Sequence, residues 1–315
     1  MESKLMNQKK VRANVFLLLT AFIWGAAFVA QQVGMEHIGP FTFNGARMLV
    51  SGVVLTPIVL LLRKKHSKAS EDARLVPEKN NKTLFLGGFC CGFFLFAASS
   101  FQQVGLLYTT AGKAGFITAL YILIVPLLGV FMKKKLSKTI WFCVVLACIG
   151  VYLLCMVENF TMNQGDFIML FSALSYALHI ITVDYFSPKT DGVAMSLIQF
   201  FVAAFFCFIP MFAFEAPKIT NILISWIPLL YVGVLSGAVG YTLQIIAQRD
   251  TTPTIAALLL SLESVFAVLM GAALLNERMS YQEITGCILM FAAIIIAQLP
   301  ERSGRDKIIK KGEPQ

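Results

Sequence analysis

Charge is scarce in this chain. Asp, Glu, Lys and Arg make up 14% of its 315 residues, against about a quarter in a soluble domain. No stretch between its apolar runs is long enough to fold as a separate aqueous domain. Histidine is scarcer still, three in all and scattered, so the clustered His and Asp that a membrane-embedded transferase requires are missing. No Cys-x-x-Cys pair accompanies them, and no metal site is expected. The seven cysteines lie mostly inside apolar runs and read as small, polarizable packing residues. No nucleotide-binding motif appears, which argues against direct coupling to ATP. No cofactor is implied.

Apolar length is abundant instead. Mean hydropathy is +0.76, and ten runs approach or exceed the ~18 residues that cross a bilayer as a helix. They cover 13–33, 41–62, 83–106, 111–132, 139–157, 165–185, 192–214, 226–247, 253–275 and 281–299. In lipid every backbone polar group must be satisfied internally, which leaves helices or a closed barrel. Runs of this length predict an all-α integral membrane protein with ten transmembrane helices, whose first partner is the lipid bilayer. The first run is long enough to span, so no cleavable leader is expected.

The net charge of +9 invites a nucleic-acid reading, which its distribution removes. Of 26 Lys and Arg, Lys218 and Arg278 fall on one side if ten spans alternate, and Arg47 and Lys113 fall within spans. All the others share the opposite side: the N-terminus, the link 63–82, "KKKLSK" at 133–138, Lys189, Arg249 and the tail 300–315. Lys and Arg concentrate on cytoplasmic loops, so both termini and the link are expected there. The basicity reports topology, not nucleic acid.

An internal repeat organises the runs. "TTAGKAGFITALYILIVPLLG" from Thr109 parallels "TTPTIAALLLSLESVFAVLMG" from Thr251, and each then breaks at a polar segment ending in Ser, at Ser137 and Ser280. Upstream, "FIWGAAFVAQQ" loosely parallels "LSYALHIITVD". Two five-helix halves follow, 13–157 and 165–299. Five is odd, so the second half is inverted, an arrangement that places a substrate near the bilayer midplane between the halves.

Ionisable groups inside spans are functional candidates because they are costly there. Glu263 lies ten residues after Pro253, about 15 Å along a helix, at the midplane. It can bind a cation, a substrate amine or a proton, or serve a structural pair. Lys113 either snorkels to the near interface or faces a cavity, where Gly112 and Gly115 let another helix come close. Arg47 reads first as a packing residue held by backbone carbonyls or lipid, and His179 as a core histidine before a proton relay. Trp24, its counterpart Tyr176, and Tyr121, the counterpart of Glu263, are mid-span aromatics away from the interfacial belts. Gln102, Gln103 and Gln244 are span amides in need of partners.

These residues carry a resemblance. "IWGAAFVAQQVG" is similar to the first helix of EamA-type transporters of the drug/metabolite transporter superfamily, and "NGARMLVSGVVL" to the second, with Arg47 its arginine. The runs from Thr109 and from Ser261 resemble the fourth and ninth; there Glu263 and Glu277 match the family pattern, Ser264 stands where proline is usual and Asn276 where glycine is. The missing proline leaves the ninth helix without the residue that usually kinks it. The resemblance covers about 13–299. It implies a basket in which helices 1, 3, 4, 6, 8 and 9 surround a cavity and helices 5 and 10 pack together, in a bacterial plasma membrane.

The expected function is secondary active transport, in the export direction, of a small metabolite such as an amino acid by alternating access. Glu263, Lys113, Trp24, Tyr121, Tyr176, His179, Gln103 and Gln244 are the candidate binding and coupling residues. Coupling to H+, another ion or a counter-substrate stays open, as does monomer against homodimer. Export or flipping of drugs or lipid-linked sugars is the alternative; a membrane enzyme or sensor is the reading from another class.

Overall fold

The computed structural model describes residues 2–70, 81–109, 111–134, 136–155, 163–275 and 280–299. Among them no strand occurs. The helices are α1 (Glu2–Gly34), α2 (Pro40–Ser70), α3 (Asn81–Gly105), α4 (Ala111–Ala119), α5 (Tyr121–Phe131), α6 (Lys138–Cys155), α7 (Gln164–Phe186), α8 (Gly192–Phe214), α9 (Ile219–Ile224), α10 (Trp226–Leu230), α11 (Thr242–Gln248), α12 (Pro253–Leu260), α13 (Leu262–Leu275) and α14 (Tyr281–Gln298). A π-helical segment, Tyr231–Tyr241, joins α10 to α11.

Nine stretches among the described residues are long and apolar enough to cross a membrane. The tenth expected span falls on α6, whose apolar part, Lys138–Leu153, is shorter. Large apolar side chains such as Phe131, Phe212 and Phe214 stand exposed on the outside, as a lipid-facing surface requires.

Local chemistry sets the helix starts. Asn163 and Asp166 form a reciprocal capping box on α7, and Ser280 and Glu283 form another on α14. Asp191 caps α8 through the Val193 and Ala194 amides. Thr252 caps α12, with Pro253 at the first helical position, where its missing N–H costs nothing.

Two spans are broken near their centres, and at equivalent places: α4 gives way to α5 at Leu120, and α12 to α13 at Ser261. Neither break uses a proline. At the second, the Ser261 hydroxyl donates to the Leu258 carbonyl at 2.8 Å. The absence of a proline at Ser264 therefore does not leave the ninth span straight. A local side-chain bond to backbone offers an alternative to the helical ladder and bends it.

The two halves repeat each other's packing. α6 lies against α14, α3 against α7 and α8, α2 against α8, and α1 against α13 and the π segment. The Thr20 hydroxyl donates to the Gly240 carbonyl at 3.2 Å and the Ser172 hydroxyl to the Ala98 carbonyl at 2.8 Å. Ser172 follows Thr20 at the Trp24–Tyr176 spacing, and Gly240 follows Ala98 at the Tyr121–Glu263 spacing. One contact is thus made twice, once per half. α4 touches α13 while α5 touches α12, so the two broken spans run antiparallel. That is the inversion an odd number of spans per half demands.

Candidate functional site

The breaks at Leu120 and Ser261 deliver Tyr121 and Glu263 to the same point. The Tyr121 hydroxyl donates to Glu263 Oε1 at 3.1 Å, fully within the bundle. Glu263 is 4% exposed, and among the described residues no cation lies within ion-pairing distance of it. This carboxylate sits in the wall of a cavity of about 30 Å³, space for one or two water molecules.

Seven spans contribute to the wall: Trp24, Ala27, Phe28 and Gln31 of α1, Arg47 of α2, Gln102 of α3, Thr118 of α4, Tyr121 of α5, Tyr176 of α7, Ser236 and Tyr241 of the π segment, and Glu263 of α13. Six of those spans are the expected ring, and α2 joins it through Arg47. The lining residues come from the second half of α1, the start of α2 and the end of α3. The cavity is therefore displaced toward the end of the bundle where α1 finishes and α2 begins.

Hydrogen bonds fix this wall. The Tyr176 hydroxyl donates to Gln102 Oε1 at 3.1 Å, and Gln102 Nε2 reaches the Thr118 hydroxyl at 3.4 Å. The Tyr241 hydroxyl lies 3.5 Å from that of Tyr176, and its ring packs on Trp24 with centroids 4.6 Å apart. The Trp24 indole N–H donates to the Ser236 carbonyl at 3.0 Å. π-Helical turns recur at functional sites; here the π segment presents the Ser236, Gly240 and Gly233 carbonyls to Trp24, Thr20 and Ser51. Arg47 Nη1 donates to Gln31 Oε1 at 3.2 Å.

The expected aromatic walls Trp24, Tyr121 and Tyr176 thus meet Glu263 in one cavity. Other candidates stand behind it. His179 is bonded through Nε2 to Gln199 Oε1 at 3.1 Å and meets the Tyr241 ring edge-on at 5.8 Å. Gln244 donates to Gln248, which donates to the Ile180 carbonyl, at 2.9 and 3.0 Å. Gln103 is fully buried with neither amide atom partnered, while its neighbour Gln102 reaches the wall; one residue is a 100° turn of the helix. The Lys113 side chain and Gly112 lie outside the described side chains. Gly115 does not bring helices together, since a Cβ there would meet only Ser264 Oγ, at 3.9 Å. Glu277 and Asn276 also lie outside the described residues.

Reading polar residues alone overlooked Tyr241, Gln31, Thr118 and Ser236. Tyr241 carried the signal that singled out Trp24, an aromatic mid-span and away from the interfaces. The carbonyl of Ser236 carried none, because a π turn has no sequence mark here.

An inverted-repeat helical bundle holding an interior carboxylate that meets no cation among the described residues has the build of a membrane transporter. The chain belongs to the EamA-like transporter family, whose model matches it twice, over residues 11–156 and 163–298. An uncharacterized transporter of Archaeoglobus fulgidus is 31% identical over 297 residues, covering 92% of this chain and 87% of its own. The uncharacterized transporter YoaV of Bacillus subtilis is 21% identical, covering 91% and 96%. A solved structure at 14% identity superposes with a TM-score of 0.69 over 91% of this chain and 96% of that one, a likeness of fold.

Proposed function

We propose that this transporter is a secondary carrier that exports a small metabolite of the amino-acid class from the cytoplasm by alternating access. The observation that carries the proposal is Glu263: a midspan carboxylate in a cavity wall, bonded to Tyr121 of the opposite half and to no cation among the described residues. A buried charge without a counter-ion is costly, and a substrate ammonium or a proton supplies the missing partner. The aromatic faces of Trp24 and Tyr241 beside it suit the apolar body and cation of such a substrate. The cavity holds only water-sized molecules, so a metabolite enters when the halves part. The concentration of Lys and Arg on the loops of the opposite end supports a cytoplasmic location for that end.

Counterflow in proteoliposomes tests this. Vesicles loaded with the twenty protein L-amino acids should take up at least one labelled member, and Glu263→Gln should slow that uptake about tenfold or more, the scale of one lost bond to a charged group. Uptake by Glu263→Gln at the wild-type rate, with the same response to pH, would remove Glu263 from coupling. Absence of counterflow for all twenty would remove the amino-acid class.

A further inference from the structure

Arg47 is 4% exposed and lines the cavity, yet no carboxylate pairs with it among the described residues. The packing role read from the sequence has the guanidinium bound to backbone carbonyls or lipid. Its hydrogen bond goes instead to the Gln31 side chain, a neutral acceptor. Nε and Nη2 are buried and make no well-aligned hydrogen bond among the described residues, and the neutral Tyr176 hydroxyl is the polar group beside the guanidinium. Those two nitrogens form one edge of the planar guanidinium, the edge whose parallel N–H groups grip a carboxylate with two bonds. Asn44, one turn earlier on α2, is likewise buried with both amide atoms unpartnered.

The second charge of the cavity stands apart. No ion pair joins Arg47 to Glu263, although both line the same space. The Tyr176 and Tyr241 hydroxyls lie within electrostatic reach of each of them, so the same neutral tyrosines neighbour both a cation and an anion that lack an ionic partner among the described residues. A solute with a carboxylate at one end and an ammonium at the other would neutralise both at once. A neutral sugar or a simple cation would leave Arg47 unpaired.

We infer that Arg47 is the substrate's carboxylate anchor, gripping it through Nε and Nη2, with the ammonium end directed to Glu263. The inference rests on the cavity being the substrate site.

Thermal unfolding of the purified protein in phosphatidylcholine nanodiscs tests it, since these lipids supply no net anionic headgroup. Three probes are titrated at constant ionic strength: sodium acetate in place of sodium chloride, the twenty L-amino acids as an equimolar mixture, and the α-amides of the same amino acids. Acetate should raise the unfolding midpoint. The amino acids should do so at about tenfold lower concentration, the effect expected when a second charged contact is made, and the amides, which keep the ammonium contact to Glu263 but lose the carboxylate, should need at least about tenfold more than the acids. Arg47→Lys keeps the charge but loses the two-pronged edge, and should weaken acetate and amino-acid binding about tenfold. Arg47→Gln should abolish the acetate response and weaken amino-acid binding to the level of the amides, and Glu263→Gln should keep the acetate response while losing the amino-acid advantage.

The inference falls if Arg47→Gln responds as wild type does, if the amides act like the acids, or if wild type responds to neither acetate nor amino acids. Should Arg47→Gln not purify as a monodisperse species, the Arg47→Lys titration decides alone, and an unaltered acetate response in it overturns the claim. Arg47-dependent carboxylate binding without counterflow in vesicles would refute the carrier reading and leave the anchor standing.

Discussion

Glu263 and Tyr121 show what the repeat contributes at the scale of one residue. They occupy equivalent positions, 142 residues apart, and touch each other at 3.1 Å, so the bond sits where the two broken spans cross. A hydrogen bond to a charged group contributes roughly 1.5–3 kcal/mol. Tyr121→Phe should therefore slow counterflow about tenfold or more. Joined with Glu263→Gln it should add little, because both changes remove one interaction; fully additive losses in initial uptake rate would show that the two residues act independently. Their equivalence and midspan depth were legible in the sequence; the bond between them was not. Nor was the place of Arg47. Almost uniformly apolar helices leave their rotation about their own axes unmarked, and rotation decides whether Arg47 meets a backbone, a lipid or a cavity. The same ambiguity separates Gln102 from Gln103.

At the scale of elements, the close approach of α1 to α13 positions the carboxylate. A Cβ on Gly25 would lie 2.7 Å from the Glu263 carbonyl oxygen and 2.9 Å from the Ala267 nitrogen, atoms of the backbone that no rotamer change can move. The glycine is required by contact, not by an unusual turn. Gly25→Ala should force the helices apart, at a cost of about 1–3 kcal/mol for such overpacking, and displace Glu263. The expected result is a lower unfolding midpoint together with slower counterflow. Gly129→Ala is the matched control, because nothing lies within 4 Å of its Cβ. It should leave the midpoint unchanged or raise it slightly, since Ala favours helix over Gly. A Gly25→Ala protein as stable as Gly129→Ala would show that α1 and α13 are loosely packed here. The Trp24-Gly25 pair was visible in the sequence, but the contact it serves was not. The π segment and the proline-free break at Ser261 were also hidden, because both arise from packing and local hydrogen bonding.

Across the whole molecule, the two halves are tied at both ends. At the end opposite the cavity, Arg12 of the first half pairs with Asp250 of the second at 3.3 Å, and Lys134 with Asp184 at 2.9 Å. At the cavity end, Glu215 of the second half accepts from the Phe41 and Thr42 amides at 2.8 and 2.7 Å, capping α2 of the first. The inverted halves were readable from punctuation and charge. These ties were not, since they join loops distant in sequence. Alternating access requires one set of ties to open while the other holds. Exposed ion pairs contribute at most about 1 kcal/mol each, a strength suited to latches that open in every cycle. Asp184→Asn with Asp250→Asn should shift the population toward the state open at that end by about two- to tenfold, since 1.4 kcal/mol is a factor of ten. Gln248 is buried at that end and bonded to Ile180 of the same half. Gln248→Cys, in a chain with its other cysteines replaced by serine, should then react faster with a membrane-impermeant maleimide by the same factor. Glu215→Gln weakens the tie at the other end and should leave that rate unchanged or lower it. Equal labelling rates in all three backgrounds would mean that the ties do not govern which end opens.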